Sequence, residues 1–166
     1  METRQATLSV ASLFAEREAR RERERAADEQ LKQKAQEELA AYRKRLDEFL
    51  LTDAHVETVL DRIKRAFDRG ETELLLVSFP SSVCTDSGRA VANADVPPIN
   101  KPKDADPDAE PAWLVTLPKG ARQIYDYWKQ NLKLGGFHFS ARILNFPNGM
   151  PGDVGLFFSW PKDMQA

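Results

Sequence analysis

Cysteine and histidine are scarce in this sequence, which contains a single cysteine, Cys84, and two histidines, His55 and His138. One cysteine cannot form a disulfide within the chain and cannot build a Cys-rich metal site. The histidines are far apart and do not form the His-x-x-x-His pair that holds zinc on a helix. The sequence therefore predicts neither a bound metal nor a cofactor.

A long apolar run and an excess of charge of one sign are also missing. No stretch reaches the roughly 20 apolar residues that a membrane span needs. The net charge of −2 gives no electrostatic attraction to nucleic acid or to anionic lipid. We therefore expect a soluble, cytoplasmic protein whose partners include neither nucleic acid nor membranes.

Glycine and proline are absent from residues 16–48, where helix-favouring residues dominate and acidic and basic residues are equal in number. Pairs of opposite charge four residues apart, such as Glu16 with Arg20, add a few tenths of a kcal/mol each. These features predict one long charged helix. Residues 1–50 are then an extended helical segment, and residues 51–166 are a small separate domain.

Large apolar side chains return in the second half of this helix at steps of three or four residues. The spacing resembles about two and a half heptads of a coiled coil. Such a stripe binds either a second copy or a partner helix, or it lies on the globular domain of the same chain. The candidate interaction face consists of Leu31, Leu39, Tyr42, Leu46 and Phe49.

The remaining sequence predicts an α+β domain with a three- or four-stranded, mainly antiparallel sheet covered by helices. Apolar stripes indicate helices near 53–69 and 118–134. Alternating apolar residues indicate two strands, 137–144 and 154–160, joined as a hairpin by a turn rich in glycine and proline.

Two further strands and one loop complete the expected domain. The apolar run in 73–79 does not alternate, which predicts a strand buried on both faces. Residues 112–117 are a candidate fourth strand. Residues 94–111 are rich in proline and aspartate and predict a mobile surface loop, because such a composition cannot bury a surface.

The best candidate for chemistry is the loop 81–89, between a predicted strand and a short predicted helix capped by Ser82 or Thr85. Free backbone N–H groups at the start of a helix bind anions. Arg89 adds a possible bidentate donor, and the same setting lowers the pKa of a cysteine such as Cys84. The predicted ligand-binding residues are Ser82, Cys84, Thr85 and Arg89.

Two features of this loop oppose catalysis. Only four residues separate Cys84 from Arg89, whereas a phosphatase loop of the Cys-x5-Arg type needs five. Asp86 lies between them, and its charge would repel an anion. We therefore assign no catalytic residue and expect a protein that is not an enzyme.

No motif in the sequence specifies a reaction. We favour a non-enzymatic intracellular interaction or assembly protein that acts through its N-terminal helix, with itself or another protein as the partner. The alternative is an α/β domain that uses the loop 81–89 to bind a small molecule or an anion. In one form of this alternative the domain is an enzyme that depends on Cys84.

Overall fold

The computed structural model describes residues 7–94 and 109–164. The chain divides into two compact units, Met1–Ala41 and Tyr42–Ala166. The second unit therefore includes the residues just before the predicted domain boundary at residue 50. The predicted mobile loop at 94–111 falls almost wholly on residues outside the described ranges.

The first element is a single helix, α1, which runs from Val10 to Glu48 without a break. Its 39 residues make it about 58 Å long at 1.5 Å per residue. The predicted long N-terminal helix is confirmed, and it begins earlier than residue 16. Its start is capped by Ser9, whose Oγ accepts the backbone N–H of Ser12 at 3.1 Å.

The second helix, α2, runs from Asp53 to Asp68 and is capped by Thr52. The Thr52 hydroxyl accepts the His55 backbone N–H, and the His55 ring accepts the Thr52 backbone N–H at 3.1 Å. Two of the free backbone N–H groups at the start of the helix are thereby satisfied, as in a capping box. The helix is followed by Gly70, whose φ of +81° suits glycine and ends the helical path.

Within the described residues the sheet has three strands: β1 (Glu73–Pro80), β2 (His138–Ile143) and β3 (Asp153–Ser159). Both pairings are antiparallel and the order is β1-β3-β2, so β3 is the central strand. The α+β fold and the hairpin of β2 with β3 are confirmed. The prediction of a strand at 112–117 is wrong, because Leu114–Thr116 form a 3₁₀ turn.

The prediction that the 73–79 strand is buried on both faces is also wrong. β1 lies at an edge of the sheet, and Leu75 remains exposed. A bulge between Leu75 and Val77 shifts the register, which breaks the alternation that an edge strand normally shows. The strand that is buried on both faces is β3, whose residues 154–158 are all buried.

Within residues 42–94 and 109–164 this unit has two more α-helices: α3 (Arg89–Asn93) and α4 (Lys119–Asn131). The buried face of α4 packs on the sheet through aromatic rings. Tyr125 lies edge-on to Phe139 of β2, with ring centroids 5.7 Å apart, and Trp128 lies 6.0 Å from the same ring. Phe139 in turn contacts Phe158 on β3 at 5.6 Å. This aromatic cluster is the centre of the core.

The other face of the sheet carries Arg142 of β2. Its guanidinium lies 3.7 Å from the ring centroid of Phe157 on β3 and pairs with Glu73 of β1 at 2.5 Å. One side chain therefore reaches across all three strands and covers the central aromatic ring. In the part of the chain that the structure describes, no helix has both the length and the hydropathy that crossing a membrane requires.

Candidate functional site

The last turns of α1 belong to the second unit, Tyr42–Ala166, which we call the globular unit, and they are fixed against α4. Gly120 of α4 permits the approach, because a Cβ atom there would overlap the Leu46 carbonyl oxygen and lie 2.7 Å from Phe49 Cβ. The Asp47 carboxylate accepts the backbone N–H of Lys119 at 3.0 Å, at the first residue of α4. Thr116, a cap-type residue three positions before α4, does not cap this helix and donates its hydroxyl to the Trp113 carbonyl. A carboxylate at the end of α1 thus interacts with the N-terminus of α4.

A glutamine holds the link between α1 and α2. Gln123 Nε2 donates to the Phe49 carbonyl oxygen at 2.6 Å, and Gln123 Oε1 accepts the Leu51 backbone N–H at 2.9 Å. The amide satisfies one backbone acceptor and one backbone donor where the chain leaves the helix. This arrangement fixes the path of residues 49–51.

The predicted interaction face is divided between the two units. Leu31 and Leu39 lie in the first unit, where Leu31 is 67% exposed and Leu39 is half-buried. Tyr42, Leu46 and Phe49 lie in the second unit and are half-buried there. The C-terminal half of the stripe is therefore partly covered by the chain's own domain, in line with the second of the two interpretations of the sequence.

The predicted site loop 81–89 is tied to its surroundings by backbone hydrogen bonds. Ser81 donates its backbone N–H to the Gly152 carbonyl at 2.8 Å, and its hydroxyl donates to the Pro151 carbonyl at 2.9 Å. The exposed Ser82 accepts Arg43 Nη2 on its carbonyl oxygen at 2.6 Å. The loop thus joins the hairpin turn to the end of α1.

The start of α3 is occupied by a side chain of the loop itself. The Asp86 carboxylate accepts the backbone N–H groups of Gly88 at 3.0 Å and Ala90 at 2.8 Å. The backbone N–H of Thr85 donates to the Thr116 carbonyl at 2.9 Å. These donors, which an anion would use, therefore already have partners. Neither Ser82 nor Thr85 caps α3, and Arg89 is exposed.

Cys84 is buried and its thiol is held in the neutral form. Burial, assisted by the nearby charge of Asp86, raises the pKa of the Cys84 thiol from its ordinary value of 9.0 to about 11. A hydrogen bond with Thr116 and the charge of Arg43 oppose this shift only in part. Because the thiolate is the nucleophile, such a thiol is poorly suited to attack at neutral pH.

A cavity that the sequence did not indicate lies elsewhere in the globular unit. It measures about 300 Å³ and opens to solvent, and its walls come from the end of α1, from α2, from β1, from β3 and from α4, with no residue of the loop 81–89. Its apolar walls include Phe49, Val59, Val77 and Ile124. The stripe on α2 was recognised in the sequence, but only the fold shows that part of it lines a space.

Comparisons of the chain with protein-family models, with curated proteins and with solved structures found no match.

Proposed function

We propose that this protein is a non-enzymatic interaction or assembly protein that binds a protein partner through the exposed part of α1. The observation that carries the proposal is the exposure of large apolar side chains near its start and at its middle. Phe14 is 56% exposed and Leu31 is 67% exposed. The others of this kind are Leu8, Val10 and Leu13.

Exposed apolar side chains on a helix favour association for an energetic reason. Burial of apolar surface lowers the free energy by about 25 cal/mol per Å². Most helices in proteins are stabilised by packing and not by their intrinsic propensity. In α1 no residue is buried, so a partner that covers this surface would stabilise the helix and gain affinity.

The charge pattern limits the form of the partner. Between Phe14 and Ala35 the positions that would continue a heptad seam are charged, among them Glu18, Arg25 and Lys32. A long hydrophobic coiled coil is therefore disfavoured. The proposal is a short contact at the apolar residues 8–14 and another around Leu31, made by a second copy of the chain or by another protein.

The test is association of the full chain in sedimentation velocity over a wide concentration range, and retention of partners from a cell extract. The variant Leu13→Lys with Leu31→Lys should abolish association and partner retention, because it places one charge in the contact at residues 8–14 and one in the contact around Leu31. The variant Ala19→Lys with Gln36→Lys is the matched control, since it adds the same charge at exposed positions of the same helix outside the two proposed contacts. If wild type and both variants behave alike, the proposal is wrong.

The alternative function at the loop 81–89 has less support. Its backbone donors are used by Asp86 and Thr116, and its thiol is buried. Titration of the protein with inorganic phosphate, followed by chemical shifts of residues 84–90, tests it directly. Saturable shifts at millimolar phosphate would favour this alternative.

A further inference from the structure

We infer that the cavity of about 300 Å³ in the globular unit is a binding site for a small amphiphile with one anionic end and an apolar body of about ten carbon atoms. The inference is separate from the proposed function of α1. It rests on the size of the cavity, on its apolar walls and on the charge at its mouth.

The cavity is large enough to hold a small ligand. Protein interiors are close-packed, and voids much larger than a water molecule are few. A cavity of about 150 Å³ suffices for a benzene ring, so one of about 300 Å³ accommodates roughly twice as many carbon atoms. This volume is at the lower end of the range of about 300–1,000 Å³ found for ligand pockets.

The walls of the cavity change from apolar to polar between floor and mouth. Phe79, Ala121 and Phe158 line it and are buried. Thr58 and Arg62 also line it and are exposed. A ligand with a hydrocarbon body and one polar end fits this gradient, because its polar end can stay hydrated while its body leaves water.

The charge at the mouth favours an anionic end. Among the residues that the structure describes, the lining includes the cation Arg62 and no carboxylate. Arg62 Nη2 donates to the Leu75 carbonyl at 2.9 Å, which holds the guanidinium beside the edge of the sheet. A guanidinium has five N–H donors in a planar fork, so this bond uses one of them. Such a fork binds a carboxylate or a phosphate through two parallel hydrogen bonds.

His55 is another exposed residue of the lining. Its Nδ1 accepts the Thr52 backbone N–H at 3.1 Å, which places the proton of the neutral ring on Nε2. The ring packs on Phe49 with centroids 5.0 Å apart, so the apolar wall and the donor are fixed together. Arg62 and His55 both lie on α2 and both line the cavity.

The experiment is titration of the full chain with decanoate and, separately, with 1-decanol, both below their aggregation limits. Isothermal calorimetry measures binding, and chemical shifts of Val56, Val59 and Ile124 locate it. We expect saturable one-to-one binding of decanoate that shifts these signals. In Arg62→Gln the affinity for decanoate should fall roughly tenfold while that for 1-decanol changes less than twofold. Arg65→Gln is the matched control, since Arg65 lies on the same helix and does not line the cavity.

A second set of variants separates binding from folding. Val59→Trp and, independently, Leu76→Phe fill the cavity and should abolish binding while circular dichroism shows an intact fold. Either variant that folds serves the test. The inference is overturned if neither probe binds saturably, if a folded filled variant binds decanoate as wild type does, or if Arg62→Gln and Arg65→Gln weaken decanoate equally.

Discussion

The α-carbon of Gly120 faces the carbonyl oxygen of Leu46 so closely that the two helices could not meet if residue 120 had a side chain. Gly120→Ala improves helix propensity by up to about 1 kcal/mol. The backbone carbonyl cannot rotate away, so we expect a net loss of about 3 kcal/mol in the free energy of unfolding. Urea titration measures it. Gly135→Ala is the control, because its Cβ would meet the Phe137 ring at an ordinary 3.7 Å. Equal stability of the two variants would contradict the packing described above.

The amide of Gln123 acts as donor and acceptor at once, so an isosteric carboxylate should fail. Glu in its place still accepts the Leu51 N–H but has no proton for the Phe49 carbonyl. We expect Gln123→Glu to cost about 2 kcal/mol at pH 7, since two acceptors then face each other. Gln130→Glu adds the same charge at an exposed position of α4, where the helix dipole costs about 0.5 kcal/mol. Urea titrations measure the free energy of unfolding of both variants. If Gln123→Glu lowers it by less than about 0.5 kcal/mol more than Gln130→Glu does, the role of the amide is refuted.

The raised pKa of Cys84 predicts a dependence of stability on pH. The unfolded chain loses the thiol proton near pH 9.0, whereas the folded chain holds it until about pH 11. The protonated Cys84 thiol therefore makes its full contribution to the free energy of unfolding below pH 9, and this contribution is lost as the pH rises toward 11. In wild type the urea midpoint should fall more between pH 8 and pH 10.5 than it does in Cys84→Ala. The same fall in both proteins would show that other groups cause it.

The two halves of α1 should differ in hydrogen exchange. Residues 10–30 are exposed and depend on their own helical hydrogen bonds, whereas the turn at 42–48 is fixed by the bonds of Arg43 and Asp47. In dilute protein the amides of the first segment should exchange much faster. Mass spectrometry of peptic peptides resolves the two segments. Uniform slow exchange along α1 at the lowest concentration would contradict the prediction.

Helices and the hairpin were predictable because their patterns are local. The stripe of α2 and the alternation in β2 and β3 follow from adjacent residues alone. Residues 112–117 were misassigned because the chain there has the apolar and aromatic content of a strand. Its 3₁₀ turn is closed by backbone hydrogen bonds, and the Thr116 hydroxyl adds a second bond to the Trp113 carbonyl, which composition does not reveal. The exposure of β1 follows from strand order, which is a property of the whole sheet.

The sites could be predicted only in part, for a similar reason. The sequence of the loop 81–89 fits two cases equally well: the backbone N–H groups at the start of α3 bind a ligand, or they bind the Asp86 carboxylate. Only the fold shows that Asp86 accepts them. The cavity is not predictable from the sequence, because separate segments line it and none carries a chemical motif. Leu46 and Phe49 were recognised as one apolar stripe, but the cavity that they help to form depends on α2 and α4.

The strand order also has a consequence for the rate at which the unit folds. Both neighbours of β3 precede it in the chain, and one of them, β1, pairs with it across a long intervening sequence that includes α3 and α4. The strands β2 and β3 are close in the sequence, so the formation of their hairpin is a local step in folding. Docking of β1 requires closure of a much longer loop, and contacts of such high sequence separation slow two-state folding. Until that step, the edge of β3 that later receives β1 is open to pairing with other chains.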